Sequence, residues 1–162
     1  MPNWNPSTLE TMLREATLDD LPILVDLMQV FYDESEFELD KEEAAAAFTS
    51  LLNQQNFGAI WLAMDGEEVG GYVVLTVRFT MEFAGLAGAI DDLYVRPASR
   101  RKGLGKALLE SLLVECYDRG LEALHVEVAP ENVAAQTLYQ GLGLQLRTDK
   151  RDHLTMLLKS EF

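Results

Sequence analysis

Apolar side chains recur along this chain with the spacings that helices and strands require. The segment Thr17-Leu-Asp-Asp20 resembles a capping box with Asp in place of the usual Glu, and helical spacing then links Leu21, Leu24, Val25, Met28, Phe31 and Tyr32. Four helices are predicted, one beginning near Thr17 and the others over residues 44–52, 103–119 and 132–140. Runs with β character predict seven strands, over residues 9–16, 59–64, 69–77, 90–95, 124–128, 144–148 and 154–158.

Turn residues separate these elements. Asp65-Gly66 indicates a tight hairpin, residues 79–88 indicate a strand end and a turn, and Gly120 ends the third helix. Strands and helices alternate without a regular βαβ period. The sequence therefore predicts a single domain over residues 1–162, of the α/β (α+β) class, with a mixed sheet that carries helices on both faces.

The composition is that of an ordinary globular domain, with 162 residues, 48% apolar and 25% charged. No apolar run approaches 18 residues, and the first residues lack the pattern of a signal peptide, so we expect a cytoplasmic protein without a membrane segment. The single cysteine, Cys116, excludes an internal disulfide framework. We expect it to be buried in the third helix, and we expect His125 and His153 to be structural or surface residues, with no metal site.

The net charge of −14 argues against nonspecific binding to nucleic acid or to anionic membranes. The basic residues are nevertheless concentrated. Five of the 13 fall within 11 positions: Arg96, Arg100, Arg101, Lys102 and Lys106. Such a cluster on an acidic protein predicts an anion site, and the alternative is a solvated basic turn.

The basic cluster lies between a predicted strand and a predicted helix. A helix start carries unpaired N–H groups and the positive end of the dipole, and glycines at 103 and 105 let the backbone approach an anion. The Walker pattern fails because Arg100 and Ala107 occupy two of its required positions. The dinucleotide pattern fails because Leu108 replaces its third glycine. The remaining prediction is a polyphosphate site of another kind.

The pattern R-x-x-G-x-G follows the strand Asp-Leu-Tyr-Val and precedes N-x-x-A-x-x-L-Y at residues 132–139. In this order and spacing, over about residues 88–146, the chain resembles the GNAT superfamily of acetyl-CoA-dependent N-acetyltransferases. The resemblance implies a mostly antiparallel sheet of seven strands, splayed between strands 4 and 5 and flanked by about four helices. It also implies acetyl-CoA as cofactor, with CoA as product.

The resemblance also assigns residues to the cofactor. They are the strand residues Leu93, Tyr94 and Val95, the loop residues Arg100, Arg101, Lys102, Gly103, Leu104, Gly105 and Lys106, and the helix residues Asn132, Ala135 and Tyr139. Tyr139 would protonate the leaving thiolate, and the alternative is an amphipathic tyrosine that anchors the fourth helix. Asn132 would bond to the pantetheine arm, and it also suits a helix N-cap, two roles that are compatible.

The general base is less well defined by the sequence. Asp91 and Asp92 are adjacent on a strand and point to opposite faces unless a bulge intervenes. The resemblance favours Asp91, with Asp92 next and Glu127 third, and a water chain is a further route. A carboxylate needs a raised pKa or such a chain to accept a proton near neutral pH.

On the acceptor side, residues 33–43 are strongly acidic. The resemblance implies that this segment lines the acceptor site, with contacts from Tyr32, Glu34, Glu36 and Glu127; the alternative is a solvated acidic loop. We expect direct transfer of acetyl to a primary amine, with a small cationic amine favoured over a protein amine. The alternative function is a non-catalytic acyl-CoA-binding regulatory module. The resemblance leaves a homodimer open.

Overall fold

The computed structural model describes residues 12–147 and 154–156. The strands in this part of the chain are β1 (Leu13–Glu15), β2 (Gly58–Asp65), β3 (Glu68–Thr80), β4 (Gly85–Val95) and β5 (Ala123–Val126). The helices are α1 (Leu21–Glu34), α2 (Lys41–Asn53), α3 (Leu104–Asp118) and α4 (Val133–Gly141). Short 3₁₀ turns precede α1, β2 and α3.

The five strands form one sheet in the order β1-β2-β3-β4-β5. Neighbouring strands are antiparallel except β4 and β5, which run parallel. The predicted hairpin is confirmed, because Asp65 pairs with Glu68 across a turn in which Gly66 has φ 67°. Gly120, with φ 65°, follows the end of α3 as predicted.

Helices cover both faces of the sheet, as the pattern predicted. On one face α3 and α4 pack on the sheet around Leu108, Leu112 and Tyr139. On the other face α1 and α2 pack around Leu24, Leu27, Phe48, Tyr72 and Tyr94. Cys116 is buried in the first of these cores, as expected, and burial is the main cause that raises its thiol pKa to about 11.

The prediction of seven strands was wrong for the described residues, which form five. Residues 144–147 and 154–156 are not in a strand, while the rest of the two predicted final strands, with His153, lies outside the described residues. The N–H of Leu144 bonds to the carbonyl of Tyr139 at 3.1 Å, after Gly143 with φ 98°, so this residue closes the end of α4. Alternating apolar residues suggest a strand, but they do not show whether a neighbouring strand is available to pair with it.

Other boundaries shift by a few residues. β3 and β4 are longer than predicted, and β5 begins and ends earlier. Residues 9–11 of the predicted first strand lie outside the described part. No helix within the described ranges is both long and apolar enough to cross a bilayer.

Candidate active site

The loop between β4 and α3 presents an open helix start. Gly103 is the N-cap of α3, with φ 82° and no side chain to satisfy the first amides, and α3 has no side-chain cap. Arg101 is also left-handed, with φ 66°. The first N–H groups of α3 are therefore available to an anion, as the sequence predicted.

Gly105 differs from Gly103 in its backbone conformation. Gly105 lies inside the first turn of α3 and does not take a positive φ. A methyl group added there would lie 3.5 Å from Leu138 Cδ2 and 3.8 Å from Val95 Cγ2, which are ordinary contacts. A methyl group would therefore fit, and the packing of α3 against α4 and the end of β4 does not require glycine at position 105.

Most side chains of the basic cluster already have partners. Lys102 Nζ lies 2.8 Å from Asp65 Oδ2, Lys106 Nζ lies 3.8 Å from Glu110 Oε1, and Arg96 Nε donates to the carbonyl of Val69 at 3.2 Å. Among the cations of this cluster, Arg101 forms no ion pair with another described residue. Arg96 likewise has no carboxylate partner among the described residues, and Arg101 is the closer of the two in sequence to the start of α3.

Arg100 connects the loop to α1. Its Nη2 donates to Glu34 Oε2 at 2.6 Å, its Nε donates to the Val95 carbonyl at 2.9 Å, and its Cζ lies 5.7 Å from the centroid of the Tyr94 ring. Tyr94 Oη donates to Glu34 Oε1 at 2.6 Å. We call Glu34, Tyr94 and Arg100 the brace. The side chains of Tyr94 and Arg100, both predicted to bind cofactor, are engaged with α1.

The charges of the brace are consistent with these bonds. Burial alone would raise the pKa of Glu34, but hydrogen bonds from Tyr94 and Arg100 outweigh it and lower that pKa. Burial, followed by the bond to Glu34, raises the pKa of Tyr94 to about 12. Glu34 is therefore ionised and Tyr94 is protonated near neutral pH.

A second set of bonds holds the loop from the other side. Asp65, at the β2–β3 hairpin, accepts from Ser99 Oγ at 2.7 Å and from Lys102 Nζ at 2.8 Å. These two bonds, with Lys102 as the larger cause, lower the pKa of Asp65. The loop thus keeps its shape through two acids on other elements, Glu34 and Asp65.

Within the described residues, one edge of β4 has no pairing strand next to this loop. The ladder between β4 and β5 ends at Ile90 and Val126, while β4 continues to Val95. Arg96 donates its N–H to Gly70 of β3 at 2.8 Å. By the alternation of an antiparallel ladder, Leu93 and Val95 direct their backbone groups away from β3, toward the open edge.

A β-bulge at Asp91 determines where the acids lie. Val74 pairs with Asp92, whereas the next residue of β3, Leu75, pairs with Ile90. Asp91 is therefore an extra residue of β4 that has no partner in β3. The sequence placed Asp91 and Asp92 on opposite faces unless a bulge intervened, and the bulge is present. Both residues line one cavity of about 280 Å³ on the α1–α2 face.

The two acids differ in environment. Asp91 is exposed, whereas Asp92 is half-buried and accepts a hydrogen bond from Tyr72 Oη at 2.9 Å. Burial, with a contribution from the charge of Asp91, raises the pKa of Asp92 despite the bond from Tyr72. The same surroundings raise the pKa of Tyr72 and of Tyr32, first by burial and then by the carboxylate charge.

α4 brings the third motif to the same region. Asn132 is the N-cap, and its Oδ1 accepts from the N–H of Ala135 at 3.1 Å, so the capping role is confirmed. Ala135 is half-buried against the core. Tyr139 is 7% exposed in the core that also contains Leu104, and burial raises its pKa, so the phenol is protonated near neutral pH.

The predicted acceptor residues do not form one group. Tyr32 interacts electrostatically with Asp92 and Asp91, and its ring packs edge-on against Phe37. Glu34 belongs to the brace. Glu36 is exposed with φ 57°, and Glu127 lies one residue beyond β5 and is also exposed.

Sequence reasoning missed Tyr72 and Asp65. Tyr72 is fully buried within an apolar run of β3, and a buried phenol needs a hydrogen-bond partner, which was the available signal. Asp65 was interpreted only as a turn residue. Among the residues described, no group of three or more His, Cys, Asp or Glu side chains could hold a metal ion.

Comparison with known proteins identifies the family. A model of the acetyltransferase (GNAT) family matches residues 22–144. The [ribosomal protein bS18]-alanine N-acetyltransferase of Escherichia coli K12 is 42% identical over 62 residues, which are 38% of this chain and 42% of that protein. The mycothiol acetyltransferase of Renibacterium salmoninarum is 34% identical over 107 residues, 63% of this chain and 31% of that protein.

The match thus spans less than half the length of either relative. A solved structure resembles the whole chain more closely. An integron cassette protein from the mobile metagenome of Cole Harbour Salt Marsh has a TM-score of 0.84 and 38% identity, and the match covers 98% of each chain. With the family match over most of its length, the chain belongs to the acetyltransferase (GNAT) family.

Proposed function

We propose that this protein is an acetyl-CoA-dependent N-acetyltransferase that moves acetyl directly onto a primary amine. One observation carries the proposal. The uncapped start of α3 and the open edge of β4 meet at one loop, and a half-buried acid with a raised pKa, Asp92, lies on the same strand. This combination suits a phosphate-bearing thioester on one side of the strand and an amine on the other.

The chain supplies groups suited to the cofactor. The uncapped amides at the start of α3 and the charge of Arg101, which has no ion-pair partner among the described residues, would bind the diphosphate. The outward backbone groups of Leu93 and Val95 would pair with the pantetheine arm, although the Val95 carbonyl already accepts from Arg100. The side-chain amide of Asn132 keeps its NH₂ group available for the same arm.

Asp92 suits the base better than Asp91, which the family resemblance favoured. Its raised pKa and fixed bond to Tyr72 describe a positioned carboxylate, while the exposed Asp91 would attract the incoming ammonium. Asp92 would accept a proton from the ammonium, and the amine nitrogen would then form its bond to the thioester carbonyl carbon. As the C–S bond breaks, protonated Tyr139 would donate its proton to the sulfur.

The alternative is a module that binds acyl-CoA without catalysis. A carboxylate with a raised pKa lowers the stability of the fold when it is ionised. A module that only binds acyl-CoA does not require such a group on the acceptor face. The pair of Asp92 and Tyr72 therefore favours the enzyme.

The proposal is tested by following CoA thiol release from acetyl-CoA with a panel of primary amines. We expect acceptor-dependent release, and we expect Tyr139→Phe to lower kcat about a hundredfold because the leaving thiolate loses its acid. CoA affinity, measured by calorimetry, should change less than about twofold. Binding of CoA without release for any amine would support the non-catalytic module, and an unchanged kcat would remove Tyr139 as the acid.

The variant Asp92→Asn should lose activity and, at pH 7, gain thermal stability. A folded-state pKa above the unfolded value means that protonation stabilises the fold at low pH, and that this stabilisation is lost as pH rises through the folded pKa. At pH 7 the variant should therefore melt above the wild type, with a difference that narrows toward pH 4. Its turnover should fall by about 10² or more.

Asp91→Asn, on the same bulge but exposed, is the matched control and should change the melting temperature little. Melting of Asp92→Asn below the wild type at pH 7 would contradict the raised pKa. Full activity of that variant would assign the base to Asp91 or to water.

The two neighbouring arginines should have different roles. Arg101→Ala should weaken CoA binding roughly two- to fivefold at low salt, because it removes the unpaired charge at the helix start. Arg100→Ala should lower the free energy of unfolding by about 1 kcal/mol, because it removes part of the brace. Calorimetry measures the CoA affinity of both variants, and urea unfolding measures their free energy of unfolding. Weaker CoA binding in Arg100→Ala, with a loss of stability in Arg101→Ala, would place Arg100 on the phosphates.

A further inference from the structure

The cavity beside the acids narrows the class of acceptor, an inference that rests on the proposed function. The cavity has a volume of about 280 Å³, which is small for a ligand site. Met28 of α1, Phe48 and Leu51 of α2, and Val74 of β3 supply apolar walls. It lies between the sheet and the helices, on the face to which the bulge directs Asp91 and Asp92.

Among the described residues, charge in this cavity is confined to one place. Of those that line it, only Asp91 and Asp92 are ionisable acids or bases, and they are adjacent on β4. The other polar linings are the side chains of Ser50, Gln54 and Thr76. A ligand here meets negative charge at one end and mostly apolar surface elsewhere.

This distribution discriminates between the classes of amine. A polyamine would place further ammonium groups against apolar walls without a counter-ion, which carries a large desolvation cost. A peptide would bring backbone N–H and C=O groups for which the walls offer few partners. An amine with one cationic end and a compact apolar body matches both parts.

We infer that the acceptor is a primary monoamine carried on a compact apolar body, bound with its ammonium at Asp91 and Asp92 and its body against Phe48, Leu51 and Val74. The amine then lies on the strand that carries the acid pair, at the point where the open edge of β4 begins. The apolar body determines specificity, and the carboxylates determine orientation.

α2 sets the size of the cavity. Ala44, Ala47, Phe48 and Leu51 recur at helical spacing on the face that lines it, and the two alanines leave the space that a larger side chain would fill. Ala46 is on the same helix but does not line the cavity, and it is exposed. Ala47 is exposed as well but lines the cavity, so a leucine at position 47 should narrow the site from its rim, while a leucine at position 46 provides a control of equal chemistry and exposure.

The experiment compares kcat/KM for hexylamine, 2-phenylethylamine, spermidine and an alanyl tripeptide, with acetyl-CoA saturating. We expect the two apolar monoamines to exceed spermidine and the peptide by roughly tenfold or more. Ala47→Leu should reduce kcat/KM for both monoamines by about tenfold, mainly through KM, with CoA affinity unchanged. Ala46→Leu should match the wild type.

Calorimetry with 2-phenylethylamine in the presence of CoA gives a reading that does not depend on turnover. Binding that weakens in Ala47→Leu but not in Ala46→Leu supports the site. Equal or better use of spermidine or the peptide, unaffected by Ala47→Leu, overturns this inference and leaves acetyl transfer standing. Binding of CoA without acetylation of any amine overturns the proposed function and this inference together.

Discussion

A single extra residue in β4 determines how the two sides of the candidate active site face each other. Ile90 and Leu93 both pack on the core beneath α3, although they are three positions apart in the strand. In a regular strand, residues three positions apart face opposite sides of the sheet. Without the bulge, the strict two-residue alternation of a strand would turn Asp92 toward the α3 face. With it, Asp92 meets Tyr72 and the cavity, while Leu93 and Val95 keep the α3 side.

The same strand also offers backbone groups to the proposed cofactor site, because β5 stops pairing at Ile90, next to the bulge. β4 therefore changes at one point, from a strand paired on both sides to an edge that ends at the loop proposed to bind the diphosphate. The loop itself is fixed by acids from distant parts of the chain, Glu34 of α1 and Asp65 of the β2–β3 hairpin. Because Glu34 ends the helix that also carries Met28 and Tyr32, the brace joins the loop before α3 to the helix that lines the proposed acceptor cavity.

Local pattern was enough to predict much of this arrangement. The helix that begins after Gly103, the N-cap at Asn132 and the hairpin at Asp65-Gly66 depend on residues close in sequence, where conformational preference decides. The family motifs are of the same local kind.

What the sequence did not reveal depends on long-range pairing. The bulge is defined only by the register of β3 against β4, and the direction of the Arg100 side chain depends on Glu34, 66 positions away. The choice between Asp91 and Asp92 followed from the bulge, so it also lay beyond a single strand's pattern. Leu144 has the apolar character of a strand residue, but its N–H is used by the end of α4.

We propose that the start of α3 and the open edge of β4 bind one cofactor together. The most direct measurement is a titration of the ¹⁵N-labelled protein with CoA, followed through backbone amide chemical shifts. We expect the largest changes at residues 103–106 and at Leu93 and Val95. Saturable CoA binding that leaves these amides unmoved and shifts others would contradict it.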